Sequence, residues 1–162
     1  MFAIELRAAV PDDAAAVADY HDRCFAKTYA AEVASGELQA PDLDGTRQQL
    51  EGWFQAGSEF ETYVAVDGGV PVGHFTIYGH QLVHLFVEPG HQGTGLGRSL
   101  LEQGEAMIVE RGHTELELHT RIDNHNAIAF YLHKGWTMTD RLIHTDEHGI
   151  SYDEHVLVKH YP

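Results

Sequence analysis

Leu85-Phe86-Val87-Glu88-Pro89-Gly90-His91-Gln92-Gly93-Thr94-Gly95-Leu96-Gly97-Arg98-Ser99-Leu100-Leu101 reads as a buried strand ended by a proline, a glycine-rich loop and the first turn of a helix. Gly93, Gly95 and Gly97 carry no side chains, so the backbone can approach a bulky anion. The first N–H groups of a helix lack intrahelical partners and lie at the positive end of its dipole. Together they suit phosphate or pyrophosphate, each amide contributing roughly 1.5–3 kcal/mol against a charged oxygen. The competing reading is a turn that only joins strand to helix. Two other phosphate loops fail on single residues. A Walker-type loop needs Lys and then Ser or Thr, and Gly97 is followed by Arg98 and Ser99. A dinucleotide fingerprint needs glycine at position 98, which is arginine.

Working outward, Thr62–Val66, Val70–Tyr78 and Gln81–Val87 read as successive strands, the first two joined by the hairpin turn Asp67-Gly68-Gly69. A helix over about Gly95 to Glu110 carries Leu96, Leu100, Met107 and Ile108 at helical spacing, and Gly112 ends it. Glu115–Thr120 is a strand, and Asn126–Lys134 a short helix closed by Gly135. Met138–His144 and Tyr152–His160 form a hairpin around Glu147-His148-Gly149. Upstream, Phe2–Arg7 alternates as a first strand, and Pro11-Asp12-Asp13 starts a helix. That helix runs to about Ala31, with Val17, Tyr20, Cys24 and Phe25 on one face. Gly36 and Pro41 break it before a second helix from Asp44 to about Ala56, with Leu50, Trp53 and Phe54 inward. The pattern is that of one α+β domain over residues 1–162 with a mostly antiparallel sheet.

The 162 residues, 43% of them apolar, suffice for a sizeable core. A single cysteine, Cys24, cannot form an internal disulfide and reads as a small buried side chain rather than a nucleophile. Neither a signal peptide nor a bilayer-spanning segment is visible, so a cytoplasmic protein is expected. Ten basic against twenty-five acidic residues give a formal charge of −15. This disfavours nucleic acid or an anionic membrane as partner and favours a cationic substrate such as an amine, with solubility as the plainer explanation. The thirteen histidines are scattered, without the spacing of metal ligands, and no metal is expected.

Gln92-Gly93-Thr94-Gly95-Leu96-Gly97 resembles motif A of the GNAT superfamily of N-acyltransferases, Gln/Arg-x-x-Gly-x-Gly/Ala. Downstream, Asn124-His125-Asn126-Ala127-Ile128-Ala129-Phe130-Tyr131-Leu132-His133-Lys134-Gly135-Trp136 resembles that family's Asn-x-x-Ala-x-x-Phe-Tyr-x-x-x-Gly-Phe motif. The two occur in the family's order. The resemblance covers Val64 to the C-terminus by sequence and the rest by element order. It implies a mixed, mostly antiparallel sheet of six to seven strands, splayed at its centre and flanked by about four helices.

The resemblance further implies acetyl-CoA as the phosphate-bearing ligand. Free backbone groups of Leu85, Phe86 and Val87 would bind pantetheine. Gln92, Gly93, Thr94, Gly95, Leu96, Gly97 and Arg98 would form the pyrophosphate loop, with the Arg98 side chain either on a phosphate or in solvent. Asn124 would contact the cofactor from across the cleft. Tyr131 matches the tyrosine that protonates the leaving thiolate; a phenol with pKa near 10 is suited to that. The family's glutamate bases fall here on Gln81, which cannot serve, and on His119, which can accept an amine proton directly or through water. His84 and a water chain remain alternatives to His119. The acceptor is then a small-molecule or peptide amine, preferably cationic, and a homodimer is common in the family. A non-catalytic acyl-CoA-binding domain is the rival reading.

Overall fold

The computed structural model describes residues 3–147 and 150–162. Its strands are β1 (Glu5–Ala8), β2 (Glu61–Asp67), β3 (Val70–Tyr78), β4 (Gln81–Val87), β5 (Glu115–Arg121), β6 (Thr137–Glu147) and β7 (Ile150–His160). Its helices are α1 (Ala14–Thr28), α2 (Ala30–Ser35), α3 (Leu43–Trp53), α4 (Leu96–Glu110) and α5 (His125–His133). The strands form one sheet in the order β1-β2-β3-β4-β5-β7-β6. Every neighbouring pair is antiparallel except β4 and β5, which run parallel.

β3 lies well inside this order and is buried from Pro71 to Ile77, its polar His74 and Thr76 included. The side chains of the sheet divide between two cores. Phe75 and Ile77 pack with Leu82, Leu116, Leu118 and Leu157 under α4, whose Leu100, Leu101 and Ile108 point at the sheet. On the other face Val64 and Val66 meet Ala14, Val17 and Tyr20 of α1 and Leu50 of α3. Each fully buried large apolar side chain contributes about 1.5–3 kcal/mol. Gly104 lets α4 approach closely: a Cβ there would stand 3.3 Å from both Leu82 and Phe75.

The expected helix through Ala31 is divided. Tyr29, at φ −118° and ψ 28°, leaves the α region, so α1 stops and α2 restarts at a new angle. No glycine or proline marks this break. What holds it is tertiary: the Tyr29 ring is buried and its hydroxyl donates to Asp123 at 3.1 Å. The described residues therefore hold five α-helices, where about four were expected. The first strand covers Glu5–Ala8 rather than starting at Phe2, which lies outside the described residues. The last hairpin is longer than expected, β6 starting at Thr137 and reaching Glu147; the expected turn residues His148 and Gly149 also lie outside the described residues.

Candidate active site

β4 and β5 pair only at Gln81↔Glu117 and Leu82↔Leu118. Beyond those pairs the strands diverge, and a cavity of about 840 Å³ opens between them. α1, the segment before α3, α5 and β7 complete its walls. A register shift between Thr76 and Ile77 places a bulge in β4 opposite them. The bulge turns Leu82, Leu85 and Val87 to the α4 core, and His84 and Phe86 to the α1 side.

Leu85, Phe86, Asn124, Tyr131 and His119, five of the residues singled out in the sequence, come together as lining of this cavity. Val87 does not: its side chain is buried in the α4 core, and its carbonyl accepts from Gln92 Nε2 at 3.0 Å and from the Cys24 thiol at 3.2 Å. Gln92 is itself a fastener, its other end accepting from Lys27 at 2.6 Å. Cys24 is buried and its thiol pushed up to about 11, first by desolvation, as an inert side chain should be.

The glycine loop lies at the end of β4. Gly93 and Gly95 take φ of +77° and +90°, a region that favours glycine, and the turn delivers the chain into α4. The first intrahelical bond there is Ser99 N–H to Gly95 C=O at 3.1 Å, so the amides of Leu96, Gly97 and Arg98 have no helical acceptor. Leu96 offers only its backbone, its side chain being core. Thr94 spends its hydroxyl on the His91 carbonyl, and Arg98 donates to Glu102 at 2.9 Å.

Asn124 caps α5, its Oδ1 accepting from Ala127 N–H at 3.2 Å, which leaves the amide nitrogen to the cavity. Tyr131 is buried against Phe130 and Trp136, and desolvation holds its hydroxyl well above the usual phenol range. It therefore stays protonated at neutral pH and can donate. His119 is clamped from both sides: Gln81 Nε2 lies 3.4 Å from Nδ1, and Glu117 Oε2 lies 2.8 Å from Nε2. Since the Gln81 amide nitrogen only donates, Nδ1 is the acceptor and Nε2 carries the proton toward Glu117. Glu117 is held in turn by Arg141 at 2.8 Å.

Several cavity residues were not singled out from the sequence. Glu154 of β7 sits across from Arg121 in the β5–β7 register and has no hydrogen-bond or ion-pair partner among the described residues. Desolvation raises its carboxyl above the usual range, partly offset by His119 and Arg121. The Arg121 guanidinium lies 4.8 Å from the ring centres of both Tyr29 and Tyr152 and pairs with Asp123 at 3.2 Å. These groups tie β5, β7 and the α1–α2 corner together at one end of the cavity. The alternation of β7 with that of β5 was the available signal for Glu154, but only the strand register shows that it faces the same side as His119.

None of residues 92–98 lines this cavity; Thr94, Gly95 and Leu96 border a separate hollow with Ile4 and Leu6. A strand-splayed cleft with a buried phenol in its wall, and a loop with unpaired amides following the strand that bounds it, suit a long ligand with an anionic end. Residues 15–136 match the sequence profile described as the Acetyltransferase (GNAT) family, and the chain belongs to that family. A mycothiol acetyltransferase of Clavibacter sepedonicus is 33% identical over 109 residues, which are 65% of this chain and 35% of that protein. A second, of Nocardiopsis dassonvillei, is 29% identical over 71% of this chain and 38% of its own length. The chain thus spans just over a third of these relatives. A GCN5-related N-acetyltransferase from Rhodopseudomonas palustris shares the fold at TM-score 0.77 and 21% identity, covering 99% of this chain and 98% of that one. The PaiA N-acetyltransferase of Thermoplasma acidophilum, solved in complex with coenzyme A, superposes at TM-score 0.74 and 19% identity, covering 98% and 99% of the two chains.

Proposed function

We propose that this chain is a cytoplasmic enzyme that transfers an acetyl group from acetyl-CoA to a primary amine by direct attack through a tetrahedral intermediate. One observation carries the reading: the buried, protonated Tyr131 lines the same cavity as the diverging edge of β4. Family membership supports the cofactor, as do the unpaired amides of Leu96, Gly97 and Arg98. The pyrophosphate would rest on those amides and on the loop from Gly93 to Gly95, with pantetheine along Leu85 and Phe86 and the Asn124 amide donating from the opposite wall.

The amine enters from the α1 side, where Glu154 offers an unpaired carboxylate to a cation. It then gives up a proton before or during attack. His119 is the proposed acceptor at Nδ1, once the Gln81 amide yields that position, and Glu117 at Nε2 stabilises the resulting imidazolium. The nitrogen attacks the thioester carbonyl and the carbon–sulfur bond breaks. Tyr131 donates its proton to the departing thiolate, giving free CoA and the acetamide. The test is Tyr131→Phe, assayed by thiol release over a panel of amines. Turnover should fall at least about tenfold, a difference of ~1.4 kcal/mol in barrier, with acetyl-CoA affinity little changed. Wild-type turnover in the variant would sink the acid role, and coenzyme A binding without turnover on any amine would favour a non-catalytic acyl-CoA-binding protein.

A further inference from the structure

Three histidines and a tyrosine form a chain of rings under the α1 side of the cleft. His74 on β3 is fully buried, and its Nδ1 hydrogen-bonds the equally buried Tyr20 hydroxyl. Its Nε2 lies 3.3 Å from Nδ1 of His84 on β4. His84 lines the cavity and is stacked on His21 of α1 at 5.5 Å between ring centres, with Trp53 and Phe86 edge-on at 4.8 and 5.1 Å. Such a string invites the idea of a proton wire or of a base at His84. The direction of the hydrogen bonds says otherwise.

A neutral imidazole has one N–H and one lone pair. Among the described residues the Tyr20 hydroxyl has no acceptor other than His74, and a buried hydroxyl left without one is costly. Tyr20 therefore donates, and His74 Nδ1 is the acceptor. The His74 proton must then sit on Nε2, where it donates to His84 Nδ1. With Nδ1 accepting, His84 carries its own proton on Nε2. Desolvation, the largest cause, holds His74 down to about 3 and His84 well below its ordinary value, so neither takes a second proton near neutrality. His84 Nε2 has no hydrogen-bond partner among the described residues; the one bond of this ring is at Nδ1.

We propose that His84 is a hydrogen-bond donor to the acceptor substrate, oriented by Tyr20 and His74 as positioning residues, and that the amines used here carry a hydroxyl or carbonyl oxygen near the reacting nitrogen. This rests on the acetyl-transfer reading and narrows its substrate class. It also removes His84 from the candidates for the base: its Nδ1 lone pair accepts from His74, which is fully buried and cannot swing aside as the half-buried Gln81 beside His119 can.

Two measurements test it on the whole chain. Long-range nitrogen–proton correlation spectra of protein labelled at histidine, at neutral pH, should show His74 and His84 both as Nε2–H tautomers. Tyr20→Phe should release His74 from that constraint. A His84 protonated on Nδ1 in the wild type would overturn the proposal outright. With acetyl-CoA, an amino alcohol should exceed its deoxy alkylamine isostere by about tenfold in kcat/KM. His84→Leu should abolish that preference through KM rather than kcat, and His84→Gln, which keeps a donor, should restore part of it. Equal kcat/KM for the two amines in the wild type would overturn the substrate class. Absence of turnover across the panel would overturn the acetyl-transfer reading, while the tautomer measurement still decides for or against the donor.

Discussion

Two buried polar regions lie on opposite faces of the same sheet, and they are built to opposite rules. Under α4, Glu105 is only 4% exposed, yet its carboxylate receives the Trp136 indole at 2.9 Å, Lys159 at 2.9 Å and the Tyr161 hydroxyl. Lys159 also donates to the Lys134 carbonyl at 2.9 Å, closing the end of α5. Each strong donor there meets an acceptor. Across the sheet, among the described residues, His21 Nδ1 is buried with no partner, His84 Nε2 has none, and Glu154 stands without an ion pair. Saturated polar groups hold elements in place, whereas unsaturated ones beside a cavity are free to meet something that the chain does not itself contain.

The largest break in this contrast is Glu105→Ala. It strands a lysine and an indole N–H, and should lower unfolding free energy by about 3–5 kcal/mol, read from urea denaturation. A loss below ~1 kcal/mol would mean that the cluster is not structural. Next comes acid. Desolvation lowers His74 to about 3 and His21 to about 4, whereas both titrate near 6.5 when unfolded. Between those values the unfolded chain binds more protons, so stability falls as pH drops from 6.5 toward 4. It is fully present above 6.5. Each such histidine contributes a slope on the order of 1.4 kcal/mol per pH unit, and His74→Gln should flatten it. A urea midpoint unchanged between neutral and acidic buffer would contradict this burial. The smallest stability effect belongs to Glu154→Gln: within about 0.5 kcal/mol of wild type, since no partner is lost. KM for a cationic amine should nevertheless rise several-fold, and an unchanged KM would remove Glu154 from the acceptor site.

Much of the sheet could be read in advance, because β2, β3 and β4 are short strand-forming runs, the first two joined by the Asp67-Gly68-Gly69 turn, and Gly93 and Gly95 punctuate the loop. The break at Tyr29 could not, since it is set by a hydroxyl reaching Asp123, far away along the chain. The bulge in β4 was equally hidden: it has no glycine or proline, yet it decides that His84 faces α1. His21, His74 and His84 looked scattered for the same reason, being assembled only by the β3–β4 register and the docking of α1. His119 was legible as a position, but its engagement by Gln81 and Glu117 depends on the two residue pairs where β4 and β5 meet.

That short meeting of strands has a consequence for association. Where β5 leaves β4, the sheet acquires an open strand edge in its interior, the kind of edge that elsewhere recruits foreign strands into aggregates. Here the exposed length runs only from Val83 to Val87, and the Val87 carbonyl is already taken by Gln92 and Cys24. α1 stands over one side, and the Tyr29–Arg121–Tyr152 stack ties β5, β7 and the α1–α2 corner together. Those closures leave little free edge for a second polypeptide strand, while the proposed pantetheine arm, a slender chain bearing its own amide groups, suits what remains.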